Sequence, residues 1–541
     1  MVNFCDIMIY QKNIKGNKKF FLNSIVVNFY VVRREKCMEL ISNLFNQIPK
    51  RVKISFITAF VLGLLVHLYM LTNGFLNHDS LYNFYSEQDM SKSGRFTLSY
   101  LAGISSYFDL HYLNGLLAIV YLALTVALLV ELFNLRSRLS IFVLALLYVG
   151  FPTISGVFGY MFTADGYILA NLLTTLSVFL LFKVNKRIVG LIGSIILVYI
   201  AIGTYQANLT YFITLVVVLF IRENIVEERI RWKTYILSAV SVVTGLLAYV
   251  IHFKIYENIH GLTNYNGINQ AGKISLETIR LALEKAKNEF FTFFFNDFEL
   301  VNLFEKLNVI YFVLFLALTL MLIVCNKKSF LNLFLVTGSI ILLPYVSHLI
   351  YFISADVYYH ILMKQHLVFI LILGIVYMEY LGTAKLKLKQ AMSLIMLSIL
   401  FVIGFNNTVI TNIYYEKLSD VNQQTFSLMT QVAYDLRKTE GYSSDKPLHV
   451  IGYPSGALSI ADRYNLKTPQ NVGAPSKIVY DKNTLYYYMI NEIGLKNPYK
   501  RYTPDYASEY EDEINELNVW PHENSIKVIG DAIVIKFSEV N

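Results

Sequence analysis

Long apolar runs separated by short polar segments occupy most of the chain between residues 54 and 406. A helix needs roughly 20 mostly apolar residues to cross the hydrocarbon core of a membrane. Runs of this kind lie at 54–72, 112–133, 139–152, 163–182, 188–204, 206–221, 235–255, 307–325, 330–353, 366–382 and 391–406. The pattern therefore predicts a mostly α-helical, polytopic membrane protein with about eleven transmembrane helices.

Basic residues are concentrated in the polar segments that follow every second run, and this predicts the orientation. The basic segments are NLRSR (134–138), KVNKR (183–187), RENIVEERIRWK (222–233), NKK (326–328) and TAKLKLKQ (383–390). Short loops rich in Lys and Arg remain in the cytoplasm, so these five segments are predicted to be cytoplasmic. The N-terminal segment 1–53 is predicted to lie on the same side. The outer loops are then 73–111, 152–163, 256–306 and 354–365, and everything after residue 406 also lies outside.

The polar region 407–541 has the pattern of a small α/β domain. Residues 420–441 show helical apolar spacing, while PLHVIGYP (447–454) and SIKVIGDAIVIKF (525–537) predict strands, the second as a hairpin around Gly530-Asp531. In outer loop 256–306, Ser275 and Thr278 begin an amphipathic pattern that predicts a helix lying on the membrane surface. Near the N-terminus, Met1 and Met38 remain alternative starts, with no function placed before Met38.

Composition agrees with the membrane class. The 541 residues are 55% hydrophobic and 16% charged, whereas soluble domains carry about 25% charged residues. The net charge of +8 resides in the short basic segments, so it does not indicate a nucleic-acid partner. Neither the three cysteines nor the His and Asp residues have the spacing of a metal site, and there is no phosphate-binding glycine loop.

Four ionisable residues lie at the predicted outer ends of the spans, where such groups are functional candidates. They are Asp79, Arg95, Asp165 and Lys364. Each also has a structural interpretation. Asp79 would be a solvated loop carboxylate, Asp165 the N-cap of the following helix, Arg95 an interfacial anchor, and Lys364 a snorkelling lysine.

The first outer loop resembles that of the Gtr-type serotype-converting glucosyltransferases of bacteria. HDSLYNFYS (78–86) is followed by SGRF (93–96), where that family has an acidic pair and then a Gly-Arg-aromatic element. Here the pair is Asp79-Ser80, so the second acid is absent. The resemblance continues through residues 151–173, 407–438 and 519–537, and their order matches the predicted topology.

The resemblance implies a GT-C-type membrane glycosyltransferase that uses a polyprenyl-phosphate-linked sugar. Its acceptor would be a cell-surface glycan, either a polysaccharide or a teichoic acid. Asp79 would be the general base of an inverting displacement, while Arg95 and Lys364 would contact the departing phosphate. The remaining substrate contacts are assigned to Asp165, His78 and Tyr82. We predict that no metal is needed, although a carboxylate together with phosphate can hold Mg²⁺.

Three other functions stay open at this stage. A polysaccharide polymerase or ligase would use a lipid-linked oligosaccharide in place of a single sugar. A transporter of lipid-linked sugars would carry charges midway along its spans and paired broken helices. A non-catalytic membrane scaffold would bind partners through region 407–541.

Overall fold

The computed structural model describes residues 46–104, 107–227, 229–261, 272, 275–295, 306–325, 328–382, 387–452, 454, 477–498 and 504–539. The chain divides into two units, Met1–Lys53 and Ile54–Asn541. In the first unit, the described part is residues 46–53. Met38 and the rest of the predicted cytoplasmic segment lie outside the described residues.

Helices form most of the described part up to residue 438, as the mostly α prediction requires. In chain order they are α1 (Lys50–Asn73), α2 (Leu98–Leu101), α3 (His111–Leu132), α4 (Arg138–Val149), α5 (Pro152–Phe158), α6 (Met161–Lys183), α7 (Arg187–Thr204), α8 (Asn208–Val226), α9 (Trp232–His260), α10 (Leu276–Phe295), α11 (Lys306–Cys325), α12 (Phe330–Val346), α13 (Ile350–Ile353), α14 (Val368–Gly382) and α15 (Lys387–Lys438). Each predicted run coincides with a helix, and run 330–353 covers both α12 and α13. The helices α2, α5 and α10 lie in the predicted outer loops 73–111, 152–163 and 256–306.

Nine helices in the described ranges are long and apolar enough to cross a membrane, so the chain is a multi-pass membrane protein. The helix pair α4 and α5 is bent by 45° at Gly150-Phe151 and adds a tenth span if it crosses as one. Pro152 begins the second half of the pair because proline fits the first turn of a helix but not its interior. α12 has 17 residues and is shorter than a standard span. The predicted count of eleven is therefore not confirmed.

Helix α15 is 52 residues long and crosses residue 406, the predicted end of the membrane region, without a break. At 1.5 Å per residue it extends about 78 Å, more than twice the hydrocarbon thickness of a membrane. It contains no proline, and the residues after 406 keep helical apolar spacing, so nothing in the sequence ends the helix at the change in polarity.

Beyond α15 the chain forms a three-stranded sheet with short helices, as the strand patterns predict. The strands are β1 (Leu448–Ile451), β2 (Ile526–Ile529) and β3 (Ala532–Lys536), and the helices are α16 (Lys482–Asn491), α17 (Pro504–Glu509) and α18 (Glu511–Asn515). The order is β1-β3-β2, with β1 parallel to β3 and β2 antiparallel to it. Gly530, with φ of +58°, lies in the predicted hairpin turn between β2 and β3.

The hydrophobic core of this sheet includes residues from the loop that follows α1. We call residues 74–110 the first loop. Its Leu76 and Leu81 are buried together with Leu436 of α15, Leu485 of α16 and Ile533 of β3. Leu76 is also held by Asn422 of α15, whose amide oxygen accepts from the Leu76 N–H at 2.9 Å and whose amide nitrogen donates to the Leu76 carbonyl at 3.1 Å. The C-terminal region therefore packs directly on the first loop.

Candidate active site

Asp79 lies six residues after α1, immediately before the 3₁₀ turn Ser80–Tyr82. Its backbone is fixed on both sides. The Asp79 N–H donates to the side chain of Asn77 at 3.0 Å, and the Asp79 carbonyl accepts from the side chain of Asn83 at 2.7 Å. The carboxylate itself is 44% exposed. The loop thus holds the residue in place through its backbone and leaves its charged group accessible.

His78 lies beside this carboxylate, with Nε2 3.5 Å from Asp79 Oδ1. Its ring packs edge-on against Tyr160, which precedes α6, at 6.0 Å between centroids and against Tyr480, which precedes α16, at 5.6 Å. Burial lowers the pKa of His78, and the charge of Asp79 opposes that shift. The imidazole is therefore neutral near pH 7 and can donate or accept a hydrogen bond.

The segment between α13 and α14 completes this group of side chains. Tyr160 packs edge-on against His360 at 6.0 Å, and His360 begins the 3₁₀ turn Ile361–Met363 by accepting from the Leu362 N–H at 3.3 Å. We call Asp79, His78, Tyr160, His360 and Tyr480 the acid–histidine cluster. It joins four segments that are far apart in the sequence, and nothing in the sequence indicated that Tyr480 belongs to it.

The stability of the folded protein should depend on the protonation of His360. Burial and the nearby charge of Lys364 lower the pKa of His360 to about 4, whereas an unfolded histidine titrates near 6.5. The unfolded chain binds a proton between these values and the folded chain does not, so stability falls as the pH drops from 6.5 to 4. We expect His360→Asn, which keeps an acceptor for Leu362, to reduce this acid loss by up to about 3 kcal/mol.

The measurement is the denaturation midpoint of the purified protein in detergent at pH 7 and at pH 4.5. His522→Asn, at an exposed position in the C-terminal region, is the matched control. Equal acid losses in the wild type and the His360 variant would show that this histidine is not the titrating group.

Arg95 is held against two aromatic rings at the same end of the helix bundle. Its Nη1 donates to the Tyr167 hydroxyl at 2.9 Å, and its guanidinium lies 5.1 Å from the centroid of the Tyr205 ring. The two tyrosine rings stack on each other at 4.4 Å. Stacking and hydrogen bonding suit the planar guanidinium, so its orientation is fixed in a way that a lysine could not reproduce.

The other two residues of the Gly-Arg-aromatic element position this arginine. Gly94 has φ of +77°, and a Cβ at this position would collide with the Tyr249 hydroxyl and come within 3.0 Å of the Gln206 amide nitrogen. Phe96 stacks on His252 of α9 at 4.1 Å. The element therefore needs a glycine because its backbone is left-handed there and touches neighbouring side chains.

Gly94→Ala should displace Arg95 and impair activity. The substitution combines an unfavourable φ with a steric clash, at a cost of about 1–3 kcal/mol, and we expect transfer activity to fall at least tenfold. The measurement is the rate of sugar transfer in membranes at matched expression. Gly494→Ala is the control because Gly494 has a similar φ of +72° with nothing within 4 Å. Equal losses in both variants would attribute the effect to general backbone strain.

Lys364 is completely buried and forms an ion pair with Glu289 of α10. Its ammonium also lies 5.6 Å from the Phe293 ring and 5.9 Å from the Tyr359 ring. The side chain is close enough to His360 to affect the pKa of that histidine, which links it to the acid–histidine cluster. Glu289 neutralises the lysine in this structure, so a phosphate would have to take the place of Glu289 to contact it.

α10 begins as the sequence predicts. The Thr278 N–H donates to the Ser275 hydroxyl at 3.1 Å, and the Ser275 N–H donates to the Thr278 hydroxyl at 2.8 Å. This reciprocal pair forms a capping box and confirms that a helix starts at this position. The helix then brings Glu289 to Lys364, a pairing that the sequence pattern did not reveal.

Asp165 is buried inside α6 and bonds to the first loop. Its two carboxylate oxygens accept from the Gly103 N–H at 3.3 and 3.1 Å, and one also accepts from the Gly166 N–H at 3.0 Å. The interpretation of Asp165 as the N-cap is wrong, because α6 begins at Met161. Contact of Asp165 with a sugar hydroxyl stays a prediction; what the structure shows is an anchor for the first loop.

The structure brings together His78, Asp79 and Tyr82, and adds two residues of the C-terminal region. The Tyr82 and Tyr487 ring centroids are 5.0 Å apart, and the Asp481 and Tyr480 side chains are close enough to raise the pKa of Tyr82 beyond the effect of burial. No property of the single sequence pointed to Tyr480 or Tyr487. The capping box of Asp481 and Thr484 marks only the start of α16.

Metal ligands are not grouped in the described part of the chain. The described residues include no cluster of three or more His, Cys, Asp or Glu side chains arranged to hold an ion. Asp79 and His78 could offer at most two ligands. Metal independence of the reaction stays a prediction.

Comparison with known proteins assigns the family. The family model described as glucosyl transferase GtrII matches residues 68–363, more than half of the chain, and the match includes the first loop with Arg95, and Asp165, but ends one residue before Lys364. Neither the curated proteins nor the solved structures include a significant match. With this match, and with nine or ten helices in the described ranges able to cross a membrane, the protein belongs to the GtrII glucosyl transferase family and is a membrane glycosyltransferase.

Proposed function

We propose that the enzyme transfers a single glucose from a polyprenyl-phosphate carrier to a cell-surface polysaccharide or teichoic acid. The observation that carries this proposal is the accessible carboxylate of Asp79 beside His78, at the end of the first membrane helix. Two cations, Arg95 and Lys364, lie at the same end of the helix bundle. This is an arrangement for activating a hydroxyl next to a departing phosphate.

The orientation inferred from the basic segments supports a lipid-linked donor. Those segments belong in the cytoplasm, and the acid–histidine cluster lies at the opposite ends of the helices. A site on the outer face has no access to cytoplasmic nucleotide sugars. A sugar attached to a membrane lipid reaches such a site by diffusion in the outer leaflet, and the lipid tail remains among the apolar helices.

In the proposed mechanism, Asp79 accepts the proton of an acceptor hydroxyl as the hydroxyl oxygen attacks the anomeric carbon of the sugar. The bond from that carbon to the phosphate oxygen breaks, and the polyprenyl phosphate leaves with the electron pair. A single displacement inverts the anomeric configuration and needs one carboxylate, which is consistent with Ser80 in place of a second acid. Neutral His78 hydrogen-bonds to the acceptor or to Asp79.

The departing phosphate gains negative charge, and we assign its stabilisation to Arg95 and Lys364. Arg95 already has a fixed orientation, so it loses little freedom on binding phosphate. Lys364 exchanges its bond to Glu289 for one to phosphate. Fixed charges in a partly dry site are often the largest catalytic contribution, and phosphate is a fair leaving group without a metal. Asp165 acts as a positioning residue through Gly103, and Tyr82 lines the acceptor side.

The test uses purified enzyme in liposomes with synthetic polyprenyl-phosphate glucose carrying a radiolabel, and with polysaccharide extracted from the envelope of the source cells. We expect labelled polysaccharide of inverted anomeric configuration, formed equally with and without EDTA. Transfer from UDP-glucose alone would overturn the donor assignment. Failure with every monosaccharide carrier, combined with joining of lipid-linked oligosaccharides, would identify a polymerase or ligase. Movement of the lipid-linked sugar across the liposome without transfer would identify a transporter.

A further inference from the structure

We propose that Tyr82, Tyr480 and Tyr487 form a binding surface for the acceptor glycan, which we call the acceptor platform. The C-terminal region would then supply part of the active site instead of only covering it. This inference rests on the proposed function, because it concerns the acceptor of that same reaction. The ligand that the acceptor platform binds is a saccharide chain.

The three tyrosines lie in or next to the part of the first loop that carries Asp79. Tyr82 follows Asp79 in the first loop, and its ring meets that of Tyr487 at 5.0 Å with an angle of 69°. Tyr480 packs edge-on against His78 at 5.6 Å, and the charge of Asp79 contributes to the raised pKa of the Tyr480 hydroxyl. The acceptor platform therefore begins next to Asp79, the proposed base. A glycan bound on the platform would present a hydroxyl that Asp79 can deprotonate.

The rings are exposed, although they stand on a well-packed support. Tyr82 and Tyr480 are 41% exposed and Tyr487 is 39% exposed. The next tyrosine of α16, Tyr488, is buried in the sheet core with Leu485. The core is thus closed without the three platform rings, so their exposure is not a by-product of incomplete packing.

The chemistry of tyrosine suits a saccharide. Sugar rings present flat C–H surfaces that pack against aromatic faces, and their hydroxyls exchange hydrogen bonds with a phenol. Tyrosine combines a large apolar surface with one polar end and has few rotatable bonds to immobilise. The pKa values of Tyr82 and Tyr480 are raised, by burial first and then by Asp481, so both phenols stay protonated and can donate.

The backbone between Tyr480 and Tyr487 is held by hydrogen bonds within the chain. Asp481 accepts from the Thr484 N–H at 2.7 Å, and the Thr484 hydroxyl interacts with the Asp481 N–H at 3.0 Å. This capping box fixes the start of α16, and Leu81 of the first loop is buried in the same core as α16. A preformed surface avoids part of the entropic cost of binding.

His78 separates the platform from the proposed donor side. One edge contact of its ring is with Tyr480 and the other is with Tyr160, which leads to His360 and the Lys364 region. A glycan on the platform and a phosphate at Lys364 would therefore approach Asp79 from different directions. Such an arrangement is what an attack opposite to the leaving group requires.

The test compares Tyr480→Leu and Tyr487→Leu with Tyr434→Leu, an exposed tyrosine of α15 that is outside the platform and 57% exposed. Binding of envelope polysaccharide from the source cells is measured by calorimetry on the purified enzyme without donor. The acceptor KM is measured with polyprenyl-phosphate glucose. We expect each platform variant to weaken polysaccharide binding and raise the acceptor KM about tenfold, with a smaller change in kcat, and the Tyr434 variant to match wild type.

Unchanged polysaccharide binding in both platform variants would overturn the proposal. So would a loss in kcat at constant KM, because that result assigns the tyrosines to support of Asp79. If the enzyme uses no polyprenyl-phosphate sugar but the platform variants lose polysaccharide binding, the donor proposal fails and the acceptor platform stands.

Discussion

Asp79→Asn is expected to reduce sugar transfer by about 10²–10⁴-fold, the usual contribution of a general base. Asparagine has nearly the same shape as aspartate, and the bonds that hold this residue in the first loop involve its backbone, with Asn77 and Asn83 as partners. The variant should therefore fold normally and lose the proton acceptor alone. The measurement is transfer of labelled glucose from polyprenyl-phosphate glucose at matched enzyme concentration.

Asp89→Asn provides the control in the same loop. The Asp89 carboxylate accepts from the Ser91 hydroxyl at 2.6 Å and has a local structural role, so this variant should keep its activity. His78 is the competing base, since its Nε2 lies 3.5 Å from Asp79. If Asp79→Asn remains active and His78→Asn does not, the proton acceptor is the imidazole and the role of the carboxylate is to orient it.

The second large effect is expected at Lys364. Lys364→Met removes the charge from a buried site while keeping an apolar side chain of similar length. Loss of one group that stabilises developing charge lowers rates by about 10²–10³-fold. The same variant also leaves Glu289 without its lysine partner, and breaking a buried pair is itself destabilising. A loss of activity in this single variant would therefore have two explanations.

The double variant Lys364→Met with Glu289→Gln separates them. It removes both charges, so no carboxylate remains unpaired, and the thermal midpoint should return toward that of wild type. If Lys364 binds the departing phosphate, the double variant stays inactive. If the lysine serves only to neutralise Glu289 and hold α10, activity returns together with stability, and the assignment of Lys364 to phosphate is then wrong.

The membrane helices could be predicted from the sequence because each satisfies its backbone hydrogen bonds within one segment. Hydropathy over 54–406 therefore located the long apolar helices, although it did not indicate the short helices α2 and α5, and the Gly530-Asp531 turn located the β2–β3 hairpin. The number of spans was less certain for a physical reason. The predicted run 139–152 ends where α4 bends into α5, which falls in the predicted outer loop 152–163, and α12 is too short for a standard crossing. Composition alone therefore does not decide which segments cross the membrane.

Much of the candidate site could not be predicted, because its contacts join residues that are far apart in the chain. Nothing local to Tyr480 indicates that it packs on His78, and nothing near Glu289 indicates that it pairs with Lys364. For Asp165, the position along the helix could be predicted but the hydrogen-bond partner could not. The sequence placed it near the start of a helix, where it lies, but its bond to Gly103 depends on where the first loop folds back. Gly94-Arg95-Phe96, in contrast, is a local motif whose glycine has a clear structural reason.

The shared core of the first loop and the C-terminal sheet affects the order in which the protein can mature. Leu76 and Leu81 are synthesised early, whereas the strand that covers them, β3, begins at Ala532. During synthesis the side chains of these leucines remain exposed until nearly all the membrane helices have been inserted. The neighbourhood of Asp79 is consequently among the last parts of the enzyme to reach its final form. A chain that stops before the hairpin would be inserted but immature, with apolar side chains available to chaperones and proteases.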